Sequence, residues 1–349
     1  MNIELFRFSL QFFVFNFLFL IFLAIFAPLT IINKVKEETR VTLPAEWEEQ
    51  EMVQLTWPHE GTDWAPMLRE ITATYVQMAR AIAERETLLI VAPDTDGVRQ
   101  LLSAELTERQ MANIIFHSCP TNDTWARDHA FLTLSDGTLL DFCFNGWGEK
   151  FEASLDNAIN RSLVKGNQNS QFSILNSQFY ESHLDFVLEG GSIESDGRGT
   201  IYTTRCCLLA PHRNQPLTEA QIEEELKRRL RADRIVWLDD EPLPGDDTDG
   251  HIDTLARILP DGTLLRLPLP DPIYDEDGSQ LPATYANYLI INGAILVPTY
   301  GQPENDRRAI ERIREAFPDR EMIPIDARPI IRQHGSVHCC AMQYPKVKK

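Results

Sequence analysis

The chain has 349 residues, with 52 acidic against 33 basic side chains and a formal net charge of −19. That balance argues against a nucleic-acid binder, which presents a basic face, and fits a surface that stays soluble and draws cationic ligands. Six cysteines, none in a CxxC knuckle, are too few for a disulfide framework and do not form a structural zinc motif; they fit thiols in a reducing compartment.

The first forty residues differ from the rest. Residues 9–32 carry no charge and are mostly Phe, Leu and Ile, long enough to cross a bilayer as a helix. Three readings stay open: a membrane anchor, an export signal with a loose cleavage site at Ile25 and Ala27, or upstream sequence read from a missed start. No Met lies between Met1 and Met52. We therefore divide the chain into a hydrophobic segment, 1–42, and a single catalytic domain, 43–349. The expected location is the cytoplasm, with membrane contact or export only if residues 9–32 are retained.

Within the body, Met52 to Trp57 reads as a strand ending at Pro58. Met67, Ile71, Tyr75, Met78 and Ile82 fall at helical spacing, which predicts a helix over Trp64 to Arg85. A buried strand, Thr87 to Ala92, a helix, Asp96 to Leu106, and a short strand, Ile114 to His117, follow before a loop at Cys119 to Asp123. This alternation marks an α/β protein. Asp-Gly pairs at 136–137, 196–197 and 261–262 each sit between apolar runs, a hairpin signal. Asp128, Glu189 and Asp253 precede those turns by 8, 7 and 8 residues. If the hairpins are equivalent parts of a unit of about 60 residues, repeated roughly five times, the three acids point at one centre. Lys165 to Gln171 is polar and reads as a loop. Thr218 and Gln221 form a capping box opening a helix to Arg231. Asn292-Gly293 turns between Tyr288–Ile291 and Ala294–Val297, and a helix, Glu304 to Phe317, and a strand, Met322 to Ile325, close the last unit.

The chemistry-bearing stretch is Asp249-Gly250-His251-Ile252-Asp253. Read as a strand, it puts an imidazole and a carboxylate on one face. The candidate nucleophile is Cys339, far along the chain. Carboxylates beside a thiol raise its pKa and disfavour the thiolate. The conflict disappears if the substrate is itself a cation, such as a guanidinium, which pairs with carboxylates and exposes a planar carbon to sulfur.

At these residues the chain resembles the agmatine deiminase and bacterial peptidylarginine deiminase family of guanidino-modifying enzymes. The blocks are LPAEWEEQ and TWPHEGTDW, NDTWARD, LEGGSIESDGRGT, DTDGHIDTL and GSVHCCAMQYP, in the family's order across the body. The resemblance implies the pentein fold, an α/β propeller of five pseudo-symmetric ββαβ-like units around a central site. It implies Cys339 as nucleophile, His251 as general acid and base, and Asp128, Glu189 and Asp253 as guanidinium ligands. Glu189 would also orient His251, and Trp125 would line the pocket. The reaction would pass through an amidino-cysteine intermediate with loss of ammonia, with no metal and no cofactor. The substrate expected is agmatine, giving N-carbamoylputrescine for putrescine biosynthesis; the alternative is free or peptidyl arginine giving citrulline. Arg332-Gln333-His334 replaces the glycines usual before the cysteine block, which would alter the pocket entrance.

Other residues read more plainly. Cys340 and His338 are taken as structural, because neighbours in a strand point away from Cys339. Trp57, Trp64 and Trp147 are taken as core or rim. Asp246, Asp247 and Asp249 lack the closing Glu of a calcium loop, and Gly190-Gly191 lacks a phosphate-cradle pattern. A Cys339–His251 thiol peptidase and a non-catalytic binder of cationic ligands are the rivals from other classes; the first leaves three acids without work. Oligomeric state is not encoded legibly.

Overall fold

The computed structural model describes residues 40–166 and 179–347. Of the stretch Lys165–Gln171, expected to be a loop, Lys165 and Gly166 instead end the helix Ile159–Gly166, and residues 167–171, like residues 9–32, lie outside the described residues. Among those described, no helix is long and apolar enough to cross a membrane. Residues Thr42–Lys349 form one compact unit, a mixed α/β fold.

Its first sheet has four strands in the order Ala341–Pro345, Gln50–Thr56, Thr87–Ala92, Ile114–Ser118. The last three run parallel, and Ala341–Pro345 joins antiparallel with Leu55 opposite Ala341. The crossover helix, Leu68–Ala83, buries Ile71, Tyr75, Met78 and Ile82 on one stripe, as their spacing predicts. The next helix, Thr95–Glu105, is capped by Asp94, whose side chain accepts from Gly97 N.

Three further sheets share one pattern: a hairpin followed by a parallel third strand. They are Leu132–Thr133, Leu139–Cys143, Tyr180–Val187; then Ile193–Ser195, Thr200–Thr204, Arg234–Leu238; then Leu289–Ile291, Ala294–Thr299, Glu321–Asp326. Arg257–Ile258 and Leu264–Leu265 form a shorter hairpin. Each predicted turn is present, and its physics is local. Gly137, Gly197, Gly262 and Gly293 all take φ between 71° and 87°. Asp136, Asp196 and Asp261 each accept a backbone N–H two residues on, at 2.8–3.0 Å. A further such turn at Asp277-Gly278, between Ile273–Tyr274 and Gln280–Leu281, escaped the sequence reading.

Two segments differ from expectation. His251–Asp253 is not a strand: Asp249 and Gly250 take φ of 64° and 89°, and a 3-10 turn, Ile252–Thr254, follows. Asp246 enforces this by accepting from Thr248 N and Gly250 N. Nor does Cys339 lie in a strand, since the strand begins at Ala341. Asn287 Oδ1 instead accepts the N–H groups of His338 (2.9 Å) and Cys339 (3.2 Å), holding a turn in which strand alternation does not apply. The predicted capping box at Thr218 and Gln221 opens the helix Glu219–Leu230, with both reciprocal bonds present. The last helix is Pro303–Ala316.

Candidate active site

Each predicted acid rides on a helical turn ahead of a hairpin: Asp128 in Ala126–His129, Glu189 capping Gly190–Ser192, Asp253 in Ile252–Thr254. Gly191 shows how closely three site residues converge. A Cβ there would lie 2.6 Å from His251 Nδ1, 2.9 Å from Asp128 Oδ1 and 3.1 Å from Asp253 Oδ2. Only a residue without a side chain fits, and its amide donates to Asp128 Oδ1 at 3.0 Å. Cys339 Sγ lies 3.7 Å from Asp253 Oδ2 and 3.2 Å from Asn287 Nδ2. Cys339, Asp128, Glu189, His251 and Asp253 are all buried.

A cavity of about 140 Å³ reaches this cluster, with Cys339 and Asp128 in its lining. Trp125 and Trp147 form its walls and Phe151 its half-exposed edge, while Asp63, Asp123 and Asp247 add carboxylates. None of the lining residues is a lysine or arginine. Trp125 is held by Asp123, which accepts from its Nε1 at 3.0 Å, and its ring leaves no room for a side chain at Gly335. Gln333 and His334, flagged as departures, do line the cavity, and His334 is fixed with φ 64° by Nδ1 on Gly245 O at 2.6 Å.

Burial and the neighbouring Asp253 and Asp128 charges push the Cys339 thiol well above its ordinary pKa, so the free site holds a thiol. Burial alone would lower His251, but Asp128 and Cys207, with Glu189, raise it well above the ordinary histidine value. Its Nδ1 is 3.6 Å from Asp128 Oδ1, and the Cys207 thiol is its hydrogen-bonding neighbour. Asp128 is raised by burial, a shift that His251 opposes and that Asp253 and Glu189 reinforce. Asp253 goes the other way: burial would raise it, yet the bond and charge of His338 hold it below the usual carboxylate range. Asp253 Oδ1 is buried with no partner, an acceptor awaiting an N–H.

Glu189 is different. Both its oxygens accept from Arg213 Nε, at 3.1 and 3.3 Å, and both side chains are fully buried. Glu189, Cys207 and His251 bring ligand atoms within 4.8 Å of one another, a donor set zinc accepts. The Arg213 guanidinium against both carboxylate oxygens already answers that charge.

Sequence reasoning missed four participants. His338, read as pointing away, donates from Nδ1 to Asp253 Oδ2 at 2.7 Å, while its Nε2 faces Glu46 at 2.8 Å. Trp147, read as core or rim, donates from Nε1 to Asp128 Oδ2 at 3.0 Å and lines the cavity. Asn287 touches Cys339 Sγ, and Arg213 clamps Glu189. Trp57 and Trp64 are buried core, as read.

Comparison with known proteins supplies an independent view. The family model described as Porphyromonas-type peptidyl-arginine deiminase matches residues 42–267 and 261–345. The agmatine deiminase of Pseudomonas syringae pv. tomato is 30% identical, over 91% of this chain and 99% of its own length. A variant of the C. jejuni agmatine deiminase, solved with substrate bound, superposes with TM-score 0.80 at 34% identity, covering 88% of this chain and 97% of that one. A Porphyromonas gingivalis protein, provisionally described as an arginine deiminase, gives TM-score 0.79 at 41% identity, covering 88% and 99%.

Proposed function

This chain belongs to the Porphyromonas-type peptidyl-arginine deiminase family, and from that premise we propose that it hydrolyses the terminal guanidinium of agmatine to N-carbamoylputrescine and ammonia. The observation that carries the reading is the convergence of the Cys339 sulfur, His251, Asp128 and Asp253 at the base of one acidic cavity. A thiol held protonated by two acids is a poor nucleophile until a cation arrives between them. The guanidinium N–H groups pair with Asp128 and with the unpartnered Asp253 Oδ1, and their charge stabilises the thiolate.

As the cation binds, the thiol proton leaves to solvent; sulfur then attacks the guanidinium carbon, and His251 as imidazolium gives a proton to the departing ammonia. The amidino-cysteine that remains is attacked by water; one water proton returns to His251, and as the carbonyl of the ureido product forms the other goes to the freed sulfur, restoring the thiol. Glu189, paired with Arg213, acts here as a fixed charge near His251. The repeating hairpin-plus-parallel-strand sheets support five pseudo-symmetric units around this centre. Asp63 and Asp247 belong to a cavity lining that holds no lysine or arginine, and they suit a substrate whose far end is an amine better than one ending in a carboxylate; Lys150 reaches Asp247 only at its backbone carbonyl, at 2.7 Å. A place in putrescine synthesis follows from that substrate.

A second reading, arginine or peptidyl arginine, is favoured by the 41% likeness to the Porphyromonas gingivalis protein. Ammonia release from agmatine, arginine and a peptide ending in arginine separates the two. Turnover of agmatine is expected, and turnover of the peptide alone would end the agmatine reading.

A further inference from the structure

Two consecutive residues in the loop after the short helix Arg205–Leu208 do the work of a clamp. Asn214 exchanges side-chain hydrogen bonds with the backbone of Val187, accepting from its N–H (2.9 Å) and donating to its carbonyl (2.8 Å). That fixes the chain two residues before Glu189. Arg213 fixes the carboxylate itself through Nε, and its other nitrogens reach elsewhere. Nη1 donates to Asp249 Oδ2 at 2.7 Å and Nη2 to the Thr248 carbonyl at 2.8 Å. The Thr248 hydroxyl in turn accepts from His251 N at 3.0 Å. One guanidinium therefore ties the Glu189 segment to the turn that delivers His251. Lys150, from the loop carrying Trp147 and Phe151, meets the same Asp249 oxygen at 2.8 Å.

We propose that Arg213 is a positioning residue: an internal guanidinium that fixes the Glu189 carboxylate and holds the His251 turn in register with it. The inference rests on the deiminase reading for its catalytic consequence but not for its physical content. Glu189 has a carboxylate oxygen within 4.8 Å of a His251 ring nitrogen, in a cluster that Cys207 shares. Arg213 satisfies both Glu189 oxygens in a geometry a lysine cannot copy. The charged or titratable groups facing His251 are Asp128, Asp253, Glu189 and Cys207. Of these, only Glu189 has an arginine bonded to its carboxylate.

The experiment uses the full chain and two readouts. In Arg213→Ala, Glu189 becomes an uncompensated buried charge beside the imidazole, so the His251 titration followed by NMR on the free protein moves to higher pH. In turnover, kcat falls about a hundredfold, the lower end of what a misplaced acid–base group costs, while the KM for the guanidino substrate stays level or falls. Added guanidinium ion restores part of the variant's rate and only competes in the wild type. Arg213→Lys keeps the charge without the fork: its histidine titration stays near wild type while kcat drops. Should Arg213→Ala fail to fold, Arg213→Lys carries the test alone, and a wild-type kcat in it overturns the proposal. An unmoved or lowered His251 titration in folded Arg213→Ala also overturns it, whatever the wild type's activity. Absence of ammonia release by the wild type would instead sink the deiminase reading.

Discussion

The site makes a specific statement about which reagents Cys339 will accept. Its sulfur sits 3.7 Å from Asp253 Oδ2, with Asp128 also facing it, so forming the thiolate sets like charges together in a buried place. A carboxylate and a unit charge about 4 Å apart interact by about 4 kcal/mol at an effective dielectric near 20. A cationic haloacetamidine gains that attraction from two acids, while a neutral haloacetamide of the same shape gains none. Desolvating the amidinium offsets much of the gain. A net advantage of about 3 kcal/mol would make the amidine alkylate Cys339 about a hundredfold faster near neutral pH. The assay is labelling followed by intact mass and peptide mapping, with Cys339→Ala as control, because all six cysteines are free. In Asp253→Asn the preference shrinks at least about tenfold. Equal labelling of Cys339 by both reagents would refute the claim that the acids govern its reactivity.

Three other outcomes follow from the packing. Gly191→Ala, whose Cβ would fall within 3.1 Å of three site atoms, loses at least about a hundredfold in kcat while remaining folded; retained turnover would show that the three do not converge. Trp147→Phe deletes the N–H that supports the Asp128 carboxylate, so Asp128 protonates more readily and KM rises chiefly on the acid side; an unchanged pH profile of KM argues against that contact. Glu86, at the Asn292 turn, is raised by burial to about 7. A raised carboxylate favours the folded state at low pH, and that benefit is lost as pH climbs from the ordinary glutamate range through about 7. The stability difference between wild type and Glu86→Gln therefore shifts by about 2 kcal/mol against the wild type from pH 5 to 8, read as melting temperature at each pH. A constant difference would contradict it.

What could be seen in the sequence was what is decided locally. The helix over Leu68–Ala83 and the Asp-Gly hairpins depend on spacing and on a glycine with positive φ, both visible in a short window. The acids were brought together by their similar distances, 8, 7 and 8 residues, from those turns, and given a role by the family resemblance. The misplaced strand at His251 shows the limit of a two-residue period, because Asp249 and Gly250 leave the extended region and Asp246 holds them there. His338, Trp147, Asn287 and Arg213 were invisible for a different reason. Their roles come from partners 85, 19, 52 and 24 residues away, to which no local pattern points. His338 was misjudged because strand alternation was applied to a turn.

The antiparallel pairing of Ala341–Pro345 with Gln50–Thr56 joins residues as much as 295 positions apart, at Gln50 and Pro345. Contacts that distant in sequence form late, because a long loop must close first. During refolding, the helices and hairpins between them can assemble while the segment bearing the sulfur is still unanchored. Recovery of enzymatic competence should then lag behind recovery of circular dichroism, with the docking of one terminal ribbon as the slow event between them.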